Sequence, residues 1–555
     1  MSARGMCRMT KVRRSLYRIA RLAIVAAACV TTYIGASRLE AQSTQATARS
    51  VYAKSLDSDT VASDLPATVS QLWGISGELW SSTSRLPDFS YAGYRRGEVA
   101  LPTDLDLANR PSRSVKEFGA VGDGVADDTH AFTTALRESP GRVVEVPPGE
   151  YLITKPLSID QSRTVLLGHG ATQSRLRFTI PLNDIEPNWG ATTRGQRTSN
   201  YSWSSGFVTL KGQLDSRPLC QVTSPSQRGN STLAVSSLEF LRVGDYVRLH
   251  MSDERSQSLA RFLYQEDPGP IENLHARASA TWAAAIVSLN NDTQTITLDR
   301  PLTTDVRVEW QPMLYRAASS VEESGIQGLS FNFPNVAYAG HFTELGFNAI
   351  ALTGVRNCWI REIVIHNCDS GIFVSGSQNT LQDIAFTSER LEERSRQATG
   401  HHGITLGGQD NVLTDFIFQT RFMHDITVSR GSSGNVAMRG RGVDLCFDHH
   451  RYAPHSNLFT DIDLGLGSRM FQSGGGSALG KHSAAWTTFW GIRSRQNVSW
   501  PNGWSPDQIN LVGIQTEASA ILERAGRWLE PIKPAILKPK NLYEAQLHRR
   551  LLVTK

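Results

Sequence analysis

The sequence predicts an all-β solenoid, a chain wound into stacked coils of parallel strand, and three observations predict it. Asn348-Ala-Ile-Ala-Leu352, Ser370-Gly-Ile-Phe-Val374, His402-Gly-Ile-Thr-Leu406 and His424-Asp-Ile-Thr-Val428 align with Ile350, Ile372, Ile404 and Ile426 in one column. The same alignment brings Asn357, Asn379, Asn411, Asn435 and Asn457 into register, at steps of 22, 32, 24 and 22 residues. Within each unit the apolar pattern is strand-like, as in Leu381-Gln-Asp-Ile-Ala-Phe386 beside Leu413-Thr-Asp-Phe-Ile-Phe418. Units near 22 residues are too long for a heptad and too small to bury an apolar face alone, so they must stack and share one core.

Stacking turns register into contact, because equivalent positions of neighbouring coils lie one strand spacing, about 4.8 Å, apart. The five asparagines should therefore form a ladder of amide bonded to amide. Asp383, Asp415 and Asp461, with Gly328, fall where each unit bends between two strands, a place for short acceptors or glycine. Steps longer than 22 must leave the stack as loops on one side; residues 332–347, 387–401, 439–456 and 464–486 are those loops.

Residues 1–41 read as a secretory signal peptide. The first 21 residues hold seven basic side chains and no acid, an apolar run follows from Leu22 to Ala36, and Leu39-Glu-Ala41 precedes the expected cut. Arg13-Arg14 is compatible with twin-arginine export as well as with the general route. The run is shorter than the roughly 20 residues a membrane span needs. A secreted or periplasmic protein, free of the membrane after cleavage, is expected. The leader carries eight Lys or Arg and one Glu, more than the whole formal charge of +5, so the remainder has two more acids than bases. The composition gives no argument for nucleic acid as a partner. Cys220, Cys358, Cys368 and Cys446 remain after cleavage, too few for a disulfide framework, and buried free thiols are expected.

Residues 42–113 read as a flexible leader and an extended N-terminal arm. Next comes Val115-Lys-Glu-Phe-Gly-Ala-Val-Gly-Asp-Gly124, continuing through Asp127-Asp-Thr-His-Ala-Phe132 to Val143-Val-Glu-Val-Pro-Pro-Gly-Glu-Tyr151. Locally this is a strand, a glycine turn, a helix capped by Asp127 or Asp128, and a strand closed by Pro-Pro-Gly. At these residues the chain resembles the pectate-lyase-like superfamily, in the branch with rhamnogalacturonase and epimerase relatives. The resemblance implies a right-handed parallel β-helix whose short N-terminal helix caps the first coil, running over 114–519. Residues of about 214–315 interrupt it with alternating segments and turns, including Val243-Gly-Asp-Tyr-Val-Arg-Leu249 and Thr295-Ile-Thr-Leu298, that read as a small antiparallel β insertion. Residues 520–555 read as a C-terminal capping arm.

The fold alone names no activity, so the chemistry must come from residues that depart from the repeat. Nine of the fourteen histidines fall between His341 and His482. His402 and His424 occupy equivalent positions of adjacent coils. Two imidazoles that close cannot both be charged cheaply, so at least one is expected neutral and able to act as a base. Asp425 is expected to orient His424. Asp448-His-His-Arg451 lies in the neighbouring loop, where Arg451 suits bidentate binding of a carboxylate and His450 can exchange a proton. This set suits β-elimination on a uronic-acid polysaccharide, with His402 or His424 as base and Arg451, His450 and Asp448 assisting. His341, Glu344, His401, Arg421, Asp425, Lys481, His482 and Trp486 are expected to bind the sugar, Trp486 by stacking.

The alternatives are a glycoside hydrolase using Asp444 with Asp448 or Asp461 with Asp463, a uronate epimerase, and a non-catalytic glycan-binding surface protein. A metal on the histidines and Ca2+ held by acids such as Asp444 and Asp448 are the two cofactor readings.

Overall fold

The computed structural model describes residues 69–192, 195–274, 278–392, 397–517, 522–524 and 527–553. The expected signal peptide and most of the leader lie outside them. The described chain forms a right-handed parallel β-helix, built because each unit of the repeat contributes one bent strand and one straight strand. The bent strands, Gly325–Asn332, Trp359–His366, Thr380–Thr387, Val412–Phe418, the split strand Val436–Met438 with Arg441–Gly442, Leu458–Asp463, Thr488–Arg493 and Asn510–Ile514, stack in parallel. Their bends sit at left-handed residues in one column: Gly328, Glu362, Asp383, Asp415, Asp461, Gly491 and Gly513, with φ between 54° and 69°. Asp383, Asp415, Asp461 and Gly328 thus stand where the repeat placed them.

The straight strands form a seven-stranded parallel sheet. In chain order they are β1 (Leu157–Ile159), β2 (Val208–Lys211), β3 (Asn348–Arg356), β4 (Ser370–Ser377), β5 (Gly400–Leu406), β6 (Phe422–Val428) and β7 (Phe447–His449). Ile350 pairs with Ile372, Ile372 with Ile404, Ile404 with Ile426, and His402 with His424, which is the register of the aligned repeat. Between the two sheets lies one continuous core that includes Ile350, Ile372, Ile404, Ile426, Phe386 and Phe418.

The asparagine ladder runs from Asn379 to Asn457. Asn379 Nδ2 donates to Asn411 Oδ1 (3.0 Å), Asn411 Nδ2 to Asn435 Oδ1 (2.9 Å), and Asn435 Nδ2 to Asn457 Oδ1 (3.1 Å). Asn357 leaves the ladder: its Oδ1 accepts the Arg95 N–H instead, at 3.0 Å, because the N-terminal arm crosses there.

A helix at Thr129–Glu138 buries Ala131, Phe132, Ala135 and Leu136 on the first coil. Asp127 accepts from the Thr129 N–H (3.0 Å), while Asp128 accepts from the Val121 and Gly122 N–H groups and so holds the glycine turn. A six-stranded antiparallel sheet spanning Pro218–Gln221 to Met313–Arg316 has its own apolar core, including Leu249, Trp282 and Trp310. The C-terminal helix, Leu542–Val553, lies on the flank of the coils, where Leu542 N–H donates to Thr460 Oγ1, rather than over the last coil. It clamps the arm, with Tyr543 Oη donating to the Ala92 carbonyl at 2.8 Å. All four described cysteines are buried and free, as expected. No helix among the described residues is long and apolar enough to cross a membrane.

Candidate active site

β5, β6 and β7 bring the chemistry together because a parallel stack converts equal sequence offset into adjacency. His402 and His424 stand with ring centroids 5.0 Å apart. His401, beside His402, lies 4.1 Å from it and 5.5 Å from His424. His341 arrives on the loop before β3 and stacks on Phe342, with its ring 4.5 Å from that of His401 and 6.0 Å from that of His424. His450, just past β7, lies 5.2 Å from His424 and 6.0 Å from His402. Five imidazoles therefore share one patch. His401, His402 and His424 are buried, while His341 and His450 are half-buried and face the approach.

Two buried carboxylates frame this patch. Asp448 Oδ2 is 2.8 Å from His450 Nδ1 and 3.3 Å from His424 Nδ1. It also accepts from Thr427 Oγ1 (3.0 Å), and its other oxygen accepts from the Gly474 N–H (2.7 Å). Glu344 Oε1 lies 3.4 Å from His401 Nδ1 and accepts from Tyr338 Oη at 2.5 Å. Burial pushes Glu344 up to about 7. Burial, reinforced by the neighbouring rings, pushes His401 and His402 well below the usual imidazole range. For Asp448 burial is outweighed by His424 and His450, which hold it below the usual carboxylate range. His450 is held above the usual imidazole range, because the charge and hydrogen bond of Asp448 outweigh its burial. The patch thus combines an imidazole whose burial disfavours its charged form, His402, with one whose carboxylate partner favours it, His450.

Several expected site residues stand elsewhere. Successive side chains leave a strand on opposite sides, so Asp425 turns away from His424. It accepts from the Phe422 N–H (2.9 Å) and Cys446 N–H (2.8 Å) and pairs with Arg469; Asp448 orients His424 in its place. By the same alternation His449 points away from His450, with Nδ1 on the Phe447 carbonyl and its ring 4.5 Å from that of Trp504. Arg451 does not reach into the patch as a carboxylate binder, since its Nη1 donates to the Gly480 carbonyl and its Nη2 meets His482 Nε2 at 3.3 Å. His482 is held by the His449 carbonyl (3.1 Å) and Lys481 by Asp267 of the insertion. Arg421 pairs with Asp444 at 3.3 Å. Trp486 is no sugar platform: it is buried in the core of the insertion beside Phe262.

The hydrolase pairs do not converge on the patch. Asp444 accepts from the Gly467 and Ser468 N–H groups and from Ser468 Oγ, Asp461 pairs with Arg493 and Lys540 at its bend, and Asp463 accepts from the Gly465 N–H. The same bonds remove the expected Ca2+ pair, because Asp444 meets Arg421 while Asp448 meets imidazoles. A narrow cleft between insertion and coils, lined by Trp282, Arg356, Gln378 and Asp410, holds none of these groups.

Thr427, Tyr338, Gly474 and Arg430 were not singled out from sequence. Thr427 pairs in register with Asp448, a signal carried by the alignment of β6 with β7. Arg430 is exposed, and its charge acts on His450.

The fold is a right-handed parallel β-helix whose straight-strand sheet carries a histidine and carboxylate patch. Residues 112–186 match the family described as rhamnogalacturonase A/epimerase, pectate lyase-like, so the opening motif and first coils are of that type. The chain is 31% identical over 127 residues to a glucan 1,3-beta-glucosidase of Cochliobolus carbonum, covering 20% of this chain and 15% of that protein. It is 31% identical over 112 residues to mannuronan C5-epimerase AlgE1 of Azotobacter vinelandii, covering 18% of this chain and 8% of that one. The chain thus spans a small part of the curated relatives it matches. Among solved structures it resembles the tailspike protein gp49 from Pseudomonas phage LKA1, with a TM-score of 0.44 and 14% identity over 68% of this chain and 59% of that one.

Proposed function

We propose that this protein is an exported enzyme that modifies an acidic polysaccharide by removing the proton beside a uronate carboxylate, with β-elimination as the outcome. The observation that carries the reading is Asp448, a single buried carboxylate 2.8 Å from His450 and 3.3 Å from His424, with neutral His402 one ring away. Environments that push two titratable groups in opposite directions assign a base and an acid. His402 takes the C5 proton, the electron pair forms the C4–C5 double bond, and the glycosidic oxygen at C4 leaves with the proton of His450. Arg430, exposed just past β6 with its guanidinium over the Tyr452 ring, is the cation offered to the carboxylate in place of Arg451. The locally similar glucosidase and C5-epimerase support a glycan substrate.

Return of a proton to C5 from the opposite side would epimerise the sugar instead, and the local similarity to a mannuronan C5-epimerase favours this as the second reading. The test is incubation with uronic-acid polysaccharides in D2O. Unsaturated product with new reducing ends supports elimination, and deuterium at C5 without chain cleavage supports epimerisation. New reducing ends without unsaturation would reject both.

A further inference from the structure

We infer that His341, His401 and His424 form a binding site for one divalent transition-metal ion of the zinc class, in place of the calcium expected for carboxylate ligands. One ligand atom from each of the three lies within 4.8 Å of the others. The three come from separate segments, a loop, β5 and β6, so the set exists only in the folded chain.

His401 points to a ligand independently. It is 1% exposed, and neither of its ring nitrogens makes a hydrogen bond. Buried polar atoms are nearly always paired, and a metal accepting one ring nitrogen accounts for this one.

The surroundings are those of a built metal site. Histidine ligands usually present their other ring nitrogen to a carboxylate, which fixes the ring and raises its basicity. His401 Nδ1 has Glu344 Oε1 at 3.4 Å, and His424 Nδ1 has Asp448 Oδ2 at 3.3 Å. Both carboxylates are themselves anchored, by Tyr338 and by Thr427 with the Gly474 N–H. Asp448, with these bonds and His450, serves the outer shell, which favours this trio over His424, Asp448 and His450.

The donor type selects the ion. Three imidazoles suit zinc, cobalt, nickel or copper, whereas calcium takes six to eight oxygens. Half-buried His341 lies on the solvent side and gives the ion its route in. The inference goes beyond the proposed reaction and is tested without substrate, so either can fail while the other stands.

The full chain is stripped with a chelator, loaded with Zn2+ alone, passed through gel filtration and analysed for metal by atomic emission, with folding followed by circular dichroism. The expected result is one Zn2+ per chain, undisturbed by excess Ca2+, and visible Co2+ bands of a low-coordinate nitrogen site after exchange. His341→Ala and His401→Gln should each weaken binding at least about tenfold, while His366→Ala, whose ring bonds Thr387 outside the patch, should retain it. If His401→Gln misfolds, His341→Ala decides. Failure to retain Zn2+, equal retention by both variants, or loss only in His450→Ala would overturn the assignment.

Discussion

His402 and His424 are partners in register on adjacent parallel strands, and their rings stand 5.0 Å apart. The pairing follows from the coil geometry and needs no loop to make it. It places a buried neutral imidazole next to one held by Asp448, and a third imidazole, His450, shares that carboxylate.

His402→Gln should remove the base while leaving the rest of the patch in place. Loss of a positioned general base lowers turnover by about 10²–10⁴. The expected result is that fall in kcat on an acidic polysaccharide with KM nearly unchanged; a change confined to KM would make His402 a binding group.

Gly474→Ala should abolish turnover without unfolding the protein. A Cβ at this position would stand 2.7 Å from His450 Cε1 and 2.9 Å from His424 Cε1, so both rings must move. Thermal unfolding close to that of the wild type together with lost activity is the expected pair of results.

Asn411→Ala should break the ladder in its middle. Asn411 Oδ1 accepts from both the backbone N–H and the Nδ2 of Asn379, and its Nδ2 donates to Asn435. Leaving such buried groups unpaired costs about 1–3 kcal/mol each, so urea unfolding should show a loss of several kcal/mol. Asn357→Ala, outside the ladder, should cost clearly less.

The fold and part of the site were legible in the sequence for one physical reason: in a stack, register is contact. The isoleucine column, the bend residues and the His402–His424 pair all follow from counting along the repeat. What counting could not give were contacts made by segments that leave the stack. Trp486 packs into the insertion because residues 464–486 fold against it, Arg451 spends its guanidinium on Gly480 and His482, and the arm takes Asn357 from the ladder. Alternation within a strand, which sends Asp425 away from His424 and His449 away from His450, follows from the sequence once the strand bounds are known.

The buried neutral histidines should make the fold acid-sensitive. Burial pushes both His449 and His455 down to about 4. Between pH 6.5 and 4 the unfolded chain takes protons that these folded groups refuse, so stability is present above about 6.5 and falls as the pH drops through this window. Each contributes a loss on the order of 3 kcal/mol by pH 4. His449→Phe, which keeps an aromatic ring against Trp504, should reduce the fall in Tm between pH 7 and pH 5; an unchanged slope would remove His449 from this account.

The proposed elimination uses His402 as base and His450 as acid on a uronate. The most direct measurement follows ultraviolet absorbance of unsaturated uronate product and reducing ends together, for the wild type, His402→Gln and His450→Gln, across a panel of acidic polysaccharides. The account predicts that both signals rise together for the wild type on at least one substrate and fall sharply in each variant. Equal product formation by the wild type and both variants, or reducing ends without unsaturation, would contradict it.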